Sequence, residues 1–171
     1  MKKKILLLIF IVGTSIIFTL TGCGKKLKTI TYTDKEKTKA SINIKVPEKS
    51  DFTLSENKKD LKTSRENAII KGEKFDIAIQ FDKFYTKSNM DTLKKIYKNY
   101  NDFREVTYNK TKGFVYYYPL YIRYVVVLPI NEKSYVSLHI YSKESSTKEA
   151  GMKELFDSQE VQDILKTVSF N

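Results

Sequence analysis

The sequence has little of several residue types on which common functional sites depend. Among its 171 residues it has one cysteine, one histidine and no tryptophan. A single cysteine cannot form an internal disulfide, so the folded part must be stabilised by apolar burial. One thiol and one imidazole are too few for a zinc cluster, and no acidic loop has the spacing of a calcium site. The sequence therefore predicts no metal and no cofactor.

Glycine is also scarce and is never clustered in the part of the chain that follows the N-terminal apolar run. After residue 22, single glycines stand at positions 24, 72, 113 and 151. A loop that cradles phosphate groups needs several glycines close together, so that its backbone N–H groups can approach the ligand. The sequence therefore gives no indication of nucleotide binding.

The charge is strongly basic but is carried by lysine. Lysine and arginine together number 31 against 20 acidic residues, a formal net charge of +11. The arginines are only Arg65, Arg104 and Arg123. Arginine is the residue that reads phosphates and base edges with two parallel hydrogen bonds. The charge therefore predicts a solvated lysine surface attracted to anionic lipid or wall polymer, and no nucleic-acid partner.

The first residues have the pattern of an export signal. Lys2–Lys4 precede the apolar run Ile5–Leu20, and small residues follow. A membrane-spanning helix needs roughly 20 apolar residues, so this shorter run favours a cleaved signal over the alternative of an uncleaved membrane helix.

The tetrad Leu20-Thr21-Gly22-Cys23 resembles the lipobox of bacterial lipoproteins. The resemblance implies cleavage between Gly22 and Cys23 and lipidation of the Cys23 thiol by a diacylglyceryl group with acyl chains such as palmitate. The mature protein is then anchored to the extracytoplasmic face of the cell membrane. The lysine- and tyrosine-rich composition adds an expectation of a Gram-positive bacterium with an AT-rich genome.

The chain is predicted to form one domain. Residues 1–22 are the expected signal peptide, residues 23–28 the lipidated cysteine with a short basic tether, and residues 29–171 a single folded domain. This last segment is of ordinary size for one domain with its own core and contains no internal repeat. We expect a monomer held close to the bilayer.

Hydrophobic periodicity predicts a sheet with helices. Alternation of period two predicts strands, and apolar spacings of three and four predict helices. Residues 48–64 are predicted to be a loop, and the run Val125–Leu128 a strand covered on both faces. The predicted strands span residues 29–33, 41–46, 67–70, 75–82, 103–108, 114–118, 121–128 and 135–141. The predicted helices start after Ser88 as N-cap, cover Lys148–Phe156, and restart at an Asp157–Glu160 capping box.

This order of elements is similar to the PsbP-like fold, which occurs in many small extracytoplasmic lipoproteins. The similarity rests on the element order, on Ile44-Lys45-Val46-Pro47 and on the C-terminal Leu165–Phe170. It implies an α+β fold in which helices flank an antiparallel sheet, an α/β/α sandwich. Members are mainly binding, assembly or accessory proteins, and no family site residue has a counterpart here.

No arrangement in the sequence predicts a catalytic site. The single histidine, His139, shares a strand face with Ser137, but side chains two residues apart on a strand are too distant for routine proton transfer. Asp76 and Asp82 lie too far apart along one strand to act as a pair. We therefore interpret His139 as a histidine on a sheet face, and its use as a catalytic base is the less favoured alternative.

Tyrosines crowd one region, at positions 108, 116, 117, 118, 121 and 124. Because consecutive residues of a strand alternate in direction, some of these rings face the core and others face outward. The predicted binding surface, for a protein or a glycan, consists of Tyr116, Tyr118, Tyr121 and Arg123. The alternative is that tyrosine serves here as a good strand former whose ring packs under a helix.

These observations favour a non-enzymatic binding or accessory role. The expected partner is an envelope protein or an anionic wall polymer. One alternative is a surface-exclusion or immunity factor of a mobile element, which needs only the anchor and a blocking surface. The other alternative is a cell-envelope hydrolase, whose nucleophile and base we do not find in the sequence.

Overall fold

The computed structural model describes residues 26–56, 67–85, 88–144 and 148–171. The predicted signal peptide, the cleavage site at Gly22 and the lipidation site at Cys23 lie outside the described residues. Within the described ranges, no helix has both the length and the apolar character to cross a membrane.

The described chain is a mixed α+β structure in which strand predominates over helix. The strands are β1 (Leu27–Thr33), β2 (Ser41–Pro47), β3 (Thr53–Glu56), β4 (Ala68–Lys71), β5 (Phe75–Lys83), β6 (Arg104–Tyr108), β7 (Thr111–Tyr118), β8 (Arg123–Asn131), β9 (Ser134–Ser142) and β10 (Ser169–Phe170). The helices are α1 (Met90–Tyr97), α2 (Glu149–Asp157) and α3 (Gln159–Leu165), and a 3₁₀ turn covers Pro119–Tyr121. The prediction of an α+β fold built on antiparallel pairing is confirmed.

The strands form two sheets. The larger has seven strands in the order β3-β4-β5-β9-β8-β7-β6, and the smaller has three in the order β1-β2-β10. Each pair of neighbouring strands is antiparallel. Strand β8 lies between β9 and β7, and Val125–Leu128 are buried throughout, as predicted from an apolar run without alternation.

The two faces of the larger sheet have different partners. One face carries Phe75, Ile77, Ile79 and Phe81 of β5 and belongs to the main core, together with apolar side chains of β2, α2 and α3. Period two in the sequence predicted this face correctly. The opposite face forms a smaller apolar cluster under α1, made by Phe114, Tyr116, Val125 and Val127 with Met90, Leu93 and Tyr97 packed against it.

Both predicted helix caps are displaced by one residue. In α1 the cap is Asn89, whose Oδ1 accepts a hydrogen bond from the Thr92 N–H at 3.0 Å. In α3 the cap is Ser158, whose Oγ accepts from the Val161 N–H. A cap must reach the second or third N–H of its helix, and Ser88 and Asp157 each stand one residue too early.

The predicted loops are also shorter than expected. Residues 53–56 form β3 on β4, inside the segment 48–64 that was predicted to be a loop. The turn predicted at 109–113 is only Asn109-Lys110, whose φ values of 44° and 69° are those of a two-residue hairpin turn. Gly113 therefore lies within β7, where an added Cβ would stand 2.1 Å from the Val127 carbonyl oxygen. This glycine is required by close strand approach rather than by a turn.

Two strand boundaries differ from the predicted ones, and both differences bear on the functional site. Strand β1 begins at Leu27, two residues before the predicted start of the domain. Strand β8 begins at Arg123, because Pro119–Tyr121 form a 3₁₀ turn and Ile122 adopts the left-handed conformation with φ 47°. Tyr121 therefore lies in a connection and not in a strand.

A tyrosine-lined cleft as the candidate functional site

A cleft of about 990 Å³ runs along the face of the larger sheet that α1 partly covers. Aromatic rings from α1, β7 and the 3₁₀ turn line one side, and polar side chains of β5 and β9 line the floor. We call it the tyrosine cleft. Its aromatic wall consists of Tyr97, Tyr100, Tyr116, Tyr118 and Tyr121.

Strand register builds the floor of the tyrosine cleft. Tyr116 on β7 pairs with Val125 on β8, Val125 pairs with His139 on β9, and His139 pairs with Ala78 on β5. Directly paired residues point to the same face, so these four side chains form one row across the sheet. Ser137 and Gln80 pair with each other two residues further along and continue the polar floor.

The aromatic wall is a continuous set of ring contacts. Tyr97 stacks on Tyr116 with ring centroids 4.5 Å apart, and Tyr100 meets Tyr116 edge-on at 5.1 Å. Tyr118 extends the series, 5.7 Å from Tyr100 and 5.4 Å from Tyr121. Helix α1 can supply this wall because Met90, Leu93 and Tyr97 recur at spacings of three and four on the side facing the sheet.

The four residues predicted as a binding surface all line this one cleft. Tyr116 is nearly buried beneath Tyr97, as in the alternative interpretation of a tyrosine under a helix, whereas Tyr121 is 59% exposed at the mouth. The tyrosines at positions 108, 117 and 124 point to the opposite face of the sheet and belong to the main core. Alternation therefore divides the tyrosine cluster in two, and only one half reaches the cleft.

Arg123 brings a positive charge into the tyrosine cleft. Its guanidinium carbon lies 4.8 Å from the centroid of the Tyr121 ring and 5.8 Å from that of Tyr118. These are cation–π distances, and they hold the guanidinium against the aromatic wall. As the first residue of β8, Arg123 points to the same face as Val125, and hence as His139.

His139 is buried in the floor and lacks hydrogen-bond partners. Only 6% of the residue is exposed, and neither Nδ1 nor Nε2 has a partner among the described residues. Burial, and secondarily the charge of Arg123, lower the pKa of His139 to about 3. The imidazole is therefore neutral at physiological pH and carries one N–H donor and one acceptor nitrogen, both of them buried. Its location agrees with the interpretation as a sheet-face histidine.

Sequence reasoning did not assign His139 to the predicted surface. Alternation along β9 separates His139 from Leu138 and Ile140, but it cannot say which face of the sheet also holds Tyr116. That requires the register of β7, β8 and β9 together, which depends on the left-handed Ile122 between β7 and β8 and on the turn after Asn131, with its register shift at Pro129–Asn131, between β8 and β9. The observation that would have assigned His139 to the surface is its pairing with Val125 in the neighbouring strand β8.

The carboxylates considered at the sequence level are separately ion-paired. Asp76 lies 3.7 Å from Lys143 Nζ, and Asp82 lies 3.5 Å from Lys37 Nζ and accepts a hydrogen bond from Gln80. Within the described ranges no three His, Cys, Asp or Glu side chains come together as a metal site. The cleft therefore offers aromatic stacking, hydrogen bonding and one guanidinium.

Comparison with known proteins gives no family for this chain: no protein-family model matches the sequence, and no curated protein matches it. The function is therefore argued from the tyrosine cleft and from the chain around it.

Proposed function

We propose that this chain is a lipid-anchored, non-enzymatic binding protein of the bacterial cell envelope, with Cys23 as the lipidated residue and the tyrosine cleft as the binding surface. The observation that carries the proposal is the convergence of Tyr116, Tyr118, Tyr121 and Arg123 on one cleft. Tyrosine and arginine are the residues most enriched at binding hot spots, because each combines a large contact area with hydrogen bonding. The proposed partner is an envelope protein or an anionic wall polymer, met by a monomer outside the cytoplasmic membrane.

The proposal includes a PsbP-like α/β/α sandwich as the fold. Two observations support this finer description. Helix α1 packs on one face of the larger sheet through Leu93 and Tyr97. Helices α2 and α3 add Met152, Phe156 and Val161 to the core on the opposite face.

The position at which β1 begins supports a short distance between the folded domain and the membrane. Strand β1 begins at Leu27, and the Lys26 carbonyl accepts a hydrogen bond from the Glu48 N–H at 2.7 Å. The described part of the chain thus begins three residues after Cys23, and three residues span at most about 10 Å. Lys26 and Lys28 lie in this segment, where each basic side chain near an anionic surface contributes about 1 kcal/mol to attraction.

The mouth of the tyrosine cleft lies at the same end of the sheet as the start of β1. Phe52, shortly after the partner strand of β1, packs on Phe75 with ring centroids 5.4 Å apart. Phe75 pairs with Ser142 at one end of β9, and Ile140 near that end pairs with Tyr124. The turn that precedes β8 is therefore at the end from which the chain leads back to the proposed anchor.

That turn is apolar, exposed and strained. Leu120, Tyr121 and Ile122 are 71%, 59% and 45% exposed, and Ile122 has φ 47°. A β-branched residue in the left-handed region is uncommon, and such strain concentrates at functional positions. An exposed apolar turn beside the cleft mouth favours contact with a partner over a purely structural role.

A hydrolytic function receives less support from the same residues. Histidine acts best as a general base when its pKa is near the working pH. Burial and Arg123 lower the pKa of His139 to about 3, so the imidazole is a weak base. Ser137 stands two residues away on the same strand, which separates the two Cα atoms by about 7 Å.

Site-specific photo-crosslinking in intact cells tests the proposal. A photoreactive amino acid replaces Tyr121 at the cleft mouth, or the exposed Lys45 on β2 as a matched control outside the cleft. We expect one dominant crosslinked product from position 121, absent from position 45 and reduced when Cys23→Ala is added. Equal crosslinking from both positions would contradict the assignment of the cleft. Equal incorporation of labelled palmitate into the wild-type and Cys23→Ala chains would contradict the lipid anchor.

A further inference from the structure

The floor and the wall of the tyrosine cleft differ in chemistry, and this difference limits the class of ligand that can bind. The wall presents phenol rings, which stack on flat apolar faces. The floor presents His139, Ser137 and Gln80, which donate and accept hydrogen bonds. A ligand that fills the cleft must therefore have an apolar face for the wall and, toward the floor, groups that both donate and accept hydrogen bonds.

His139 provides the strongest indication that a polar ligand enters. Both of its ring nitrogens are buried without a partner among the described residues. Buried polar groups are satisfied in nearly all native structures, so two unsatisfied nitrogens in a residue that lines the cleft indicate a missing hydrogen-bonding partner. A neutral imidazole offers one donor and one acceptor, which match the two roles of a hydroxyl group.

The position of the cleft disfavours an extended peptide. Peptides commonly bind by adding a strand to a sheet edge, where backbone N–H and C=O groups are unpaired. The floor lies instead on the face of β5, β9 and β8, which are interior strands paired on both sides. Recognition here must therefore use side chains.

Arg123 sets the charge of the ligand. It is held against Tyr118 and Tyr121, at the end of the row that contains His139. The other charged residues lining the cleft are Lys37, Lys83 and Asp82, of which Lys37 and Asp82 pair with each other. The described cleft is thus net positive, and one guanidinium matches one carboxylate with two parallel hydrogen bonds.

We propose that the tyrosine cleft binds an acidic oligosaccharide, with a sugar carboxylate at Arg123, sugar hydroxyls on His139 and Ser137, and sugar ring faces on the tyrosine wall. The inference rests on the proposed function in one respect, that the cleft is a binding surface. It adds the chemical class of the ligand and the role of His139.

The single histidine makes the test specific. The full chain is purified in a detergent without sugar headgroups and without a histidine tag, so the imidazole ¹⁵N signals come from His139 alone. The probes are a tetrasaccharide of alternating glucuronic acid and N-acetylglucosamine, a neutral tetrasaccharide of N-acetylglucosamine, and tetraglutamate. We expect the acidic sugar to shift the His139 signals and to bind at least tenfold more tightly than the neutral sugar.

Three variants separate charge from stacking. Arg123→Gln is expected to abolish the tenfold preference while leaving the neutral sugar unchanged. Tyr121→Ala, at an exposed position where folding is not at risk, weakens both sugars by a similar factor. Lys45→Gln removes one positive charge outside the cleft and is expected to change neither affinity. If Arg123→Gln fails to fold, Arg123→Lys replaces it, because lysine keeps the charge but cannot make two parallel hydrogen bonds; a reduced preference supports the role of Arg123, and an unchanged preference contradicts it.

Several results would overturn the inference. These are equal binding of the two sugars, a His139 shift with tetraglutamate and neither sugar, or a loss of preference in Lys45→Gln equal to that in Arg123→Gln. In each case a crosslink from position 121 would leave the proposed binding function intact. Absence of both the sugar shift and the crosslink would instead remove the cleft as a binding surface.

Discussion

The ring of Tyr97 on α1 is stacked on the ring of Tyr116 on β7, with planes only 10° from parallel. This contact attaches the helix to the sheet and at the same time forms the middle of the cleft wall. Burial, assisted by the neighbouring Tyr97, raises the pKa of the Tyr116 hydroxyl, which therefore remains a neutral phenol across the physiological range. The wall is thus apolar and uncharged where the two elements meet.

Replacement of the Tyr97 ring is expected to loosen α1. Tyr97→Ala should lower the free energy of unfolding by about 2–3 kcal/mol, because it removes a stacked ring and leaves Tyr116 uncovered. Tyr97→Phe keeps the ring and loses only the hydroxyl, so the expected cost is about 1 kcal/mol or less. Urea denaturation of both variants checks the difference. Equal losses in the two variants would show that the ring contact does not hold the helix.

A second set of contacts joins the turn before β6 to the main core. Asp102, with φ 51°, accepts hydrogen bonds from the Tyr124 hydroxyl at 2.8 Å and from Arg104 Nη1. Arg104 also pairs with Asp157 at the end of α2. Burial opposes the charged form of Asp157, but hydrogen bonds from Lys153 and Arg104 hold the pKa of this carboxyl below its usual value.

Asp102 is expected to be important for stability. Asp102→Ala should lower the free energy of unfolding by about 2–4 kcal/mol, because the buried Tyr124 hydroxyl loses its acceptor and alanine is strained at positive φ. Asp102→Asn keeps an acceptor and tolerates this conformation, so its cost should be clearly smaller. The measurement is urea denaturation, with the exposed Asp163→Ala as control, expected within about 0.5 kcal/mol of wild type. Equal costs for Asp102→Asn and Asp102→Ala would contradict this account.

Local sequence patterns were sufficient to predict most strands but not the residues at which they begin and end. Alternation located β2 and β5 because each buries one complete face. It missed β10, whose two residues pair with Asn43 and Ile42 of β2, far away in sequence. Each predicted N-cap stands one residue before the observed cap, Asn89 or Ser158. Several polar residues stand in a row at both places, and only backbone geometry selects among them.

The candidate site was predictable in part. Clustered tyrosines beside Arg123 indicated a surface, and these residues do line one cleft. The floor was not predictable, because His139 joins Tyr116 only through the register of three strands. That register is set by the left-handed conformation of Ile122 between β7 and β8 and by the register shift at Pro129–Asn131 between β8 and β9, and no local sequence pattern predicts either.

The strained backbone at Ile122 predicts a substitution that raises the free energy of unfolding, whereas the substitutions above lower it. Ile122→Asn should raise the free energy of unfolding by about 0.5–1 kcal/mol, because asparagine adopts positive φ readily and isoleucine does not. The side chain is exposed, so little burial is lost. Urea denaturation measures the gain, and Leu120→Asn, at a neighbouring position without positive φ, is the control. A loss of stability in Ile122→Asn would show that the isoleucine side chain makes contacts that outweigh the strain. If the turn contacts a partner, the stabilised variant should also crosslink less from position 121.

The buried neutral imidazole of His139 makes stability depend on pH. In the unfolded chain a histidine takes up a proton near pH 6.5, whereas the folded pKa is about 3. Between these values the unfolded state binds one more proton, so acidification favours unfolding. This contribution should fall by about 0.7 kcal/mol per pH unit near pH 6.5, where half of the unfolded histidine is protonated, and by about 1.4 kcal/mol per unit below about pH 5.5, and it should be constant above about pH 7.5. Urea denaturation across this range measures the slope.

The substitution His139→Gln isolates this contribution from that of the carboxylates. Glutamine keeps a donor and an acceptor in the floor but does not titrate, so the difference in unfolding free energy between wild type and His139→Gln should change by about 2.3 kcal/mol from pH 6.5 to pH 4.5. The range stops at pH 4.5 because Asp157, whose usual pKa is 3.8, contributes with its own lowered value further down. Arg123 remains charged and Tyr116 remains neutral throughout, so neither changes the sign. Parallel pH profiles for the two proteins would contradict a neutral, buried His139.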